Sequence, residues 1–137
     1  MNWTLEVVAV PVSDLDRAKT FYADKLGFTL DHDTRMGGDD GFIQLTPPGS
    51  GCSIVLSKGI GGMAPGTLKG VQLVVNDLPR ARAELIERGL ELPEIQVFTQ
   101  EGPRPMQEGD DLNNVGFVFF EDPDGNGWAI QHITARA

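Results

Sequence analysis

The sequence predicts an α+β fold of two tandem modules, each with the order strand, helix and three strands. The prediction rests on an internal repeat: residues 12–28 read VSDLDRAKTFYADKLGF, and residues 75–92 read VNDLPRARAELIERGLEL. Five identities share one offset of 63 residues, namely Val12/Val75, Asp14/Asp77, Leu15/Leu78, Arg17/Arg80 and Ala18/Ala81. Because this offset is close to half of the 137 residues, the pattern indicates a duplicated structural module.

The first module opens with a strand and a helix. TLEVVAVPV at 4–12 is rich in β-branched residues, which favour strands. Asp14 follows at the turn, where a short carboxylate can accept hydrogen bonds from the first amides of a helix. Apolar residues then recur at helical spacing through 15–26. Gly27 is the predicted stop, because glycine accepts the left-handed conformation of a helix end.

Three further strands are predicted to complete the first module. FTLDHDT, GFIQLTP and CSIVLSK, at 28–34, 41–47 and 52–58, are separated by Gly, Asp and Pro clusters that are typical of turns. Module one is therefore predicted to span 1–58. The following GIGGMAPG is too rich in glycine to order itself, so 59–67 is predicted to be a linker.

Module two, predicted to span 68–137, repeats the pattern within the same single domain. LKGVQLVV at 68–75 is the predicted first strand, and a helix follows from Asp77 to Gly89. The three later strands are predicted in EIQVFTQ, VGFVFFE and WAIQHIT, at 94–100, 115–121 and 128–134. Between the first two of these, EGPRPMQEGDDLNN at 101–114 is predicted to be a solvated, mobile loop, and a lid or a source of a catalytic acid are the alternatives.

Composition narrows the possible functions. The formal net charge is -9, and the 11 Lys and Arg residues form no basic stripe, so nucleic-acid binding is not expected. No segment approaches the length of a membrane span, and the first residues lack the basic and apolar regions of a signal peptide. We therefore expect no membrane partner and a cytoplasmic protein. Cys52 is the only cysteine, which excludes an intramolecular disulfide and a cysteine-rich zinc site.

Three motifs together resemble the vicinal oxygen chelate superfamily, which includes glyoxalase I, extradiol dioxygenases, fosfomycin resistance enzymes and bleomycin resistance proteins. They are VPVSDLDRAKTFYADKLGF at 10–28, VVNDLPRARAELIERG at 74–89 and FFEDPDGNGW at 119–128. The resemblance covers nearly the whole chain. It implies that the two modules form a cup-shaped mixed sheet with helices on the outer face and a ligand inside. It also implies a homodimer.

The resemblance further implies where a divalent metal would bind. Enzymes of the superfamily hold it with His, Gln and Glu side chains from four strands of the cup. Carried onto this chain, the four positions fall on Val7, Val55, Gly70 and Ala129, which offer no metal donor. Standard glyoxalase I or extradiol dioxygenase activity is therefore not expected, no cofactor is predicted, and whether the chain is an enzyme stays open. The alternative is a shifted register in which His132, with glutamines or carboxylates, holds a divalent metal.

Strand alternation predicts what lines the cup instead. Apolar side chains such as Ile43, Leu45 and Leu73 suit the core, and their neighbours then face inward. The predicted ligand-binding residues are Gln44, Ser53, Ser57, Gln72 and Gln131. None is ionised, and we expect no Asp, Glu, Lys or His on the inner face of the strands to act as a base. A lining of this kind binds organic molecules through apolar area and a few orienting hydrogen bonds.

The sequence thus predicts a metal-free, small-molecule-binding protein of this superfamily that holds an apolar or aromatic ligand. The negative charge favours a cationic ligand, and aromatic surface is supplied by Phe42, Phe98, Phe117, Phe119, Phe120 and Trp128. The alternative is a metal-dependent lyase or dioxygenase with non-standard ligands. A third possibility is metal-free catalysis by an acidic residue of the loop at 101–114.

Overall fold

Each half of the chain forms its own β-sheet and contributes one main helical segment. A computed structural model describes residues 1–37 and 40–135. Contacts divide the chain into unit one, Met1–Leu68 with Asp122–Asn126, and unit two, Lys69–Glu121 with Gly127–Ala137. Unit one contains a four-stranded sheet and unit two a five-stranded sheet. These mixed sheets with few helices confirm the predicted α+β class and its strand–helix–three-strand modules.

The sheet of unit one contains all the strands predicted for the first module. They are β1 (Val7–Pro11), β2 (Thr29–Arg35), β3 (Gly41–Thr46) and β4 (Ser53–Ser57). The spatial order is β1-β4-β3-β2, in which β1 and β4 are parallel and the other pairs are antiparallel. The register shifts between Leu30 and His32, so Asp31 lies at a β-bulge.

The helix of unit one begins where the sequence predicts. α1 (Leu15–Lys19) starts after Asp14, whose Oδ1 accepts a hydrogen bond from the Arg17 amide at 3.0 Å, and it continues as a π-helical segment over Thr20–Lys25. Its apolar stripe is buried, including Leu15 and Tyr22 at 2% and 0% exposure. Gly27, at φ +77°, ends the helical segment as predicted.

The predicted linker has local structure. Ile60–Gly62 forms one 3₁₀ turn, so the expectation that 59–67 cannot order itself is wrong for these residues. Glycines at φ +64° and +73°, Gly61 and Gly62, permit the tight path that other residues would resist. Gly66 passes so close to the backbone carbonyl of Asp124 that any Cβ at this position would collide with it.

Unit two repeats the topology and adds one strand. Its elements are β5 (Val71–Val75), α2 (Leu78–Glu87), β6 (Gln96–Thr99), β7 (Gly102–Pro105), β8 (Gly116–Glu121) and β9 (Gly127–His132). The order is β5-β9-β8-β6-β7, in which β5 and β9 are parallel. The prediction of a continuous loop over 101–114 is wrong at β7. Pro103 and Pro105 argued against a strand here, because proline cannot donate a hydrogen bond to a neighbouring strand. An edge strand tolerates proline, and β7 lies at the edge of the sheet.

The turn between β8 and β9 belongs to unit one by its contacts. Asp122 and Asn126, at 5% and 0% exposure, are buried polar residues. The Tyr22 hydroxyl donates to Asp122 Oδ2 at 2.6 Å, and Asn126 Nδ2 donates to the carbonyl oxygen of Pro11 at 2.8 Å. The backbone amides of Asp124 and Asn126 donate to the other oxygen of this carboxylate, Asp122 Oδ1, so both of its oxygens are hydrogen-bonded. We call this set of hydrogen bonds the buried turn network.

Candidate functional site

The five-stranded sheet has one face packed against α2 and one face that α2 leaves uncovered. In β8, Gly116, Val118 and Phe120 are buried, whereas the alternate Phe119 is 44% exposed. The register places Ala129 between Gln72 on β5 and Phe119 on β8, and Gln131 between Val74 and Phe117. We define the open face of unit two by the side chains of these rows: Gln72, Val74, Phe117, Phe119, Ala129 and Gln131.

A cavity of about 560 Å³ lies at one end of this open face. Its lining is Gly70, Gln72, Phe119, Phe120, Glu121, Gly127, Trp128 and Ala129. The middle strand, β9, contributes only small groups to the open face here, because Gly127 and Ala129 alternate with Trp128, and the Ala129 methyl group is only 6% exposed. The result is a trough between Gln72 on one side and Phe119 on the other.

The two metal-ligand positions that the resemblance assigns to the second module both line this cavity. Gly70 lies at φ +86°, and a Cβ built on it would meet no atom within 4 Å. Ala129 offers only a methyl group. The space that metal-binding side chains would fill is therefore part of an open, largely apolar cavity. Sequence reasoning located both positions, but it could not show that they open into one cavity.

Three phenylalanines extend the apolar surface of the open face. The rings of Phe117 and Phe119 are nearly parallel, with centroids 5.8 Å apart and an interplanar angle of 5°. Phe98, from β6, meets Phe117 edge-on at 5.2 Å. Phe98 and Phe119 are 40% and 44% exposed, so this aromatic cluster presents ring surface that unit two itself does not cover.

Two of the predicted ligand-binding residues are in direct contact. Gln72 Nε2 donates to Gln131 Oε1 at 2.5 Å, and Gln131 Nε2 donates to the backbone carbonyl oxygen of Asn114 at 2.9 Å. We call this chain of bonds the amide relay. Both side chains lie on the open face, as strand alternation predicted, and Gln72 also lines the cavity.

Glu121 adds an ionisable group at a strand end, a position that the expectation for the strand interiors did not include. It is the last residue of β8, it follows Phe117 and Phe119 at a spacing of two, and it lines the cavity. Its Oε2 lies 3.3 Å from Lys69 Nζ, in an exposed ion pair. The same alternation that located the other lining residues reaches Glu121, so the sequence carried this signal at the strand end.

The other three predicted ligand-binding residues lie on the sheet of unit one. Gln44 is half-buried and pairs in register with Val55 on β4 and His32 on β2. Ser53 Oγ lies 2.7 Å from Thr46 Oγ1, and Ser57 Oγ donates to the carbonyl oxygen of Gly41 at 3.0 Å. Both serine hydroxyls are thus engaged within their own sheet.

The residues of this chain do not fit the metal that enzymes of the superfamily hold. In unit one, the expected positions carry Val7, 41% exposed at the start of β1, and Val55, half-buried on β4. In unit two they carry Gly70 and Ala129, so none of the four offers a donor atom. Within 1–37 and 40–135, no three His, Cys, Asp or Glu residues come together as a metal site.

His132, the donor in the alternative interpretation, is engaged at both ring nitrogens. Its Nδ1 accepts a hydrogen bond from the Leu78 amide at 3.1 Å, at the first residue of α2. Its Nε2 lies 3.3 Å from Thr134 Oγ1. The ring therefore satisfies one of the amides that every helix start leaves open, which is a structural role. Nothing in the sequence of the repeat indicates this contact.

An ion pair joins β7 to the polar segment that follows it. Arg104 donates from Nη1 and Nη2 to the two carboxylate oxygens of Asp110, each at 2.9 Å. The Gln107 amide donates to Asp110 Oδ2 at 2.7 Å. Hydrogen bonding to Arg104 and to this amide lowers the pKa of Asp110 to about 2. Arg104, on β7, thus pairs with a carboxylate of the segment that follows this strand.

Among the helices that the structure describes, none has both the length and the apolar character needed to cross a membrane.

No curated protein matches the sequence. The chain is 29% identical to an antibiotic binding protein, TnmS3, from Streptomyces sp. CB03234, with a TM-score of 0.71 over 96% of this chain and 97% of that one. A glyoxalase/bleomycin resistance protein from the same organism is also 29% identical, with a TM-score of 0.70 over 94% of this chain and 100% of that one.

A third solved structure is a superfamily member from Sphaerobacter thermophilus DSM 20745. It is 25% identical, with a TM-score of 0.71 over 96% of this chain and 98% of that one. The family model for the Glyoxalase/Bleomycin resistance protein/Dioxygenase superfamily matches residues 4–130. This match covers all the strands and helices described above except the end of β9. The chain therefore belongs to the glyoxalase/bleomycin resistance protein/dioxygenase superfamily.

Proposed function

We propose that this protein binds a small apolar or aromatic molecule in the cavity of unit two, without a metal. One observation carries the proposal. Gly70 and Ala129, where metal ligands would stand, carry no donor and instead open into a cavity of about 560 Å³. A volume of this order suits a drug-sized organic ligand, since pockets for such molecules span roughly 300 to 1,000 Å³.

The lining supports an aromatic ligand. Phe119 borders the cavity and stacks on Phe117, and both face the side of the sheet that α2 does not cover. A flat ring placed on this surface would bury apolar area and add a ring-to-ring contact of about 0.5 to 1.5 kcal/mol. Gln72 and Glu121 are the polar side chains that border the cavity, and they would orient the ligand rather than dominate its affinity.

The similar proteins support binding over catalysis. One relative at 29% identity is an antibiotic binding protein, and its fold covers nearly the whole of this chain. Fold alone does not fix function, so the argument for this chain rests on the cavity. A homodimer, which the superfamily resemblance implies, and a cytoplasmic location belong to the same proposal.

A panel of neutral and cationic polycyclic aromatic compounds tests the proposal through their effect on the melting temperature. A ligand that binds only the folded state raises the midpoint in proportion to the logarithm of its concentration. We expect at least one compound to do so with the wild type, and Phe119→Ala to weaken its binding about tenfold. Trp3→Ala is the matched control, because Trp3 is 87% exposed and does not line the cavity.

Two outcomes would contradict the proposal. The first is a panel in which no compound raises the melting temperature of the wild type. The second is equal weakening by Phe119→Ala and Trp3→Ala, which would place the ligand elsewhere. Gel filtration with light scattering tests the homodimer separately, since a molar mass of one chain, 14.8 kDa, would overturn that part.

A further inference from the structure

The amide relay has a fixed direction. Its last acceptor is the backbone carbonyl oxygen of Asn114, which can only accept a hydrogen bond. The Gln131 group that faces it at 2.9 Å must therefore be the NH₂ group, and the Gln131 oxygen must point the other way. The oxygen and nitrogen of a glutamine amide are assigned through such partners, and here the partner leaves no choice.

The orientation of the Gln131 amide also fixes the orientation of the Gln72 amide. Because Gln131 presents its oxygen, the atom of Gln72 that contacts it at 2.5 Å must be the donor, Nε2. The Gln72 carbonyl oxygen is then the end of the relay, and no residue that the structure describes donates to it. Gln72 lines the cavity, so its carbonyl oxygen is the acceptor that this side chain can present there. The Asn114 carbonyl fixes the orientation of that amide through Gln131.

The second polar side chain at the cavity is also an acceptor. Glu121 is a carboxylate, and one of its oxygens contacts Lys69. The remaining side chains of the lining are apolar, apart from Trp128, which is 3% exposed and alternates with Ala129 onto the face packed against α2. The two side-chain acceptors that border the cavity are therefore the Gln72 oxygen and the Glu121 carboxylate, and one of the two N–H bonds of the Gln72 amide is already donated to Gln131.

We propose that the cavity selects flat aromatic ligands that donate a hydrogen bond, such as a ring N–H, an amine or a phenol. The inference rests on the proposed function and adds a ligand class to it. A ring lying in the trough over Ala129 has Phe119 on one side and Gln72 on the other. A ligand that can only accept leaves the Gln72 oxygen desolvated without a partner, which is unfavourable. Gln131 acts as a positioning residue, because it fixes which end of the Gln72 amide the ligand meets.

The test compares two isosteric, uncharged probes, carbazole and dibenzofuran, by equilibrium dialysis. The two differ at one atom: carbazole has a ring N–H and dibenzofuran has a ring oxygen. Charge and shape are thereby held constant. With the wild type, we expect carbazole to bind about tenfold more tightly, the contribution of one hydrogen bond. Gln131→Leu releases the Gln72 amide to rotate, so the preference should fall to about twofold.

Gln96→Leu is the matched control for this variant. Gln96 pairs in register with Phe117 on the same sheet, and it takes no part in the amide relay. We expect the tenfold preference to survive in it. Folding of each variant is checked by its melting temperature.

Three results would overturn the inference, and they are distinguishable. Equal affinity of both probes for the wild type removes the donor preference while leaving the proposed cavity intact. A preference that survives in Gln131→Leu shows that the relay does not set it. Absence of binding by either probe, with correctly folded protein, counts against the proposed function itself and removes the basis of the inference.

Discussion

The two sheets of this protein descend from one sequence pattern, yet their polar groups are used in different ways. In unit one, the hydroxyls of Ser53 and Ser57 bond to Thr46 and to the Gly41 carbonyl, so they stabilise their own sheet. In unit two, the amide relay ends at the Gln72 carbonyl oxygen, to which no described residue donates a hydrogen bond. The comparison teaches that a repeated module conserves its topology more strictly than its chemistry.

The apolar groups differ in the same sense. Of the positions that the superfamily resemblance assigns to metal ligands, the one on β4 of unit one carries Val55, whereas its counterpart on β9 of unit two carries Ala129, which is 6% exposed and lines the cavity with a methyl group only. Phe117 and Phe119 stack on the open face of unit two. These differences are why the proposed ligand site lies in unit two. A ligand role for Gln44, Ser53 and Ser57 stays a prediction from the sequence alone.

The largest expected effect comes from filling the equivalent positions of the two modules. Ala129→Leu places a branched side chain between Gln72 and Phe119, so we expect the affinity for an aromatic ligand to fall at least thirtyfold, about 2 kcal/mol. Val55→Leu makes a similar addition in unit one and should change the affinity less than twofold. Dissociation constants from equilibrium dialysis check both. Equal losses would show that both sheets contact the ligand.

A second contrast separates stability from affinity. Tyr22→Phe removes the hydroxyl that donates to the buried carboxylate of Asp122, so we expect the free energy of unfolding to fall by about 2 kcal/mol. Gln131→Leu alters an amide at the open face and should change it by about 0.5 kcal/mol or less. Urea denaturation measures both. If the two variants lost equal stability, the relay would be a structural element like the buried turn network.

The smallest effect is the response to acid, and it should be similar in the two units. Hydrogen bonds from Arg35 and Lys19 lower the pKa of Asp33 to about 2 in unit one, and Arg104 with the Gln107 amide does the same for Asp110 in unit two. Because both values lie below the ordinary 3.8, each pair contributes fully above that pH and is lost as the pH falls towards 2.

Carboxyl resonances followed by NMR between pH 5 and 1.5 check this prediction. Since both groups are near the surface, salt should raise both pKa values towards 3.8. An unshifted Asp110 would show that the Arg104 pair does not close its loop in solution.

Much of the fold follows from local sequence signals. Asp14 and Asp77 each accept a hydrogen bond from the helix that they were predicted to start, and strand alternation separated Gln72 from the buried face correctly. β7 could not be predicted, because its two prolines lower the propensity of any strand that is not an edge, and an edge is defined only by the rest of the sheet.

The candidate site could be predicted from the sequence only in part, and the reason is physical. Alternation tells which face a side chain takes, so it placed Gln72 and Gln131 on one face, whereas the positions of Gly70 and Ala129 came from the superfamily resemblance. It does not tell which atoms of neighbouring strands meet. The amide relay requires the Asn114 carbonyl, which lies on a different segment from both glutamines, and the cap that His132 provides requires the end of β9 to meet the start of α2. Such contacts depend on register between distant segments.

The proposed site in unit two is an aromatic-ligand site at positions where the superfamily resemblance would place metal ligands. The most direct test measures the dissociation constant of carbazole for protein stripped of metal with EDTA, confirmed as metal-free by elemental analysis, and again after one equivalent of Ni²⁺, Zn²⁺, Fe²⁺ or Mn²⁺. We expect the same dissociation constant in every sample and no retained metal after desalting. Binding that disappears on stripping and returns with one equivalent of metal would show instead that the ligand binds through a metal.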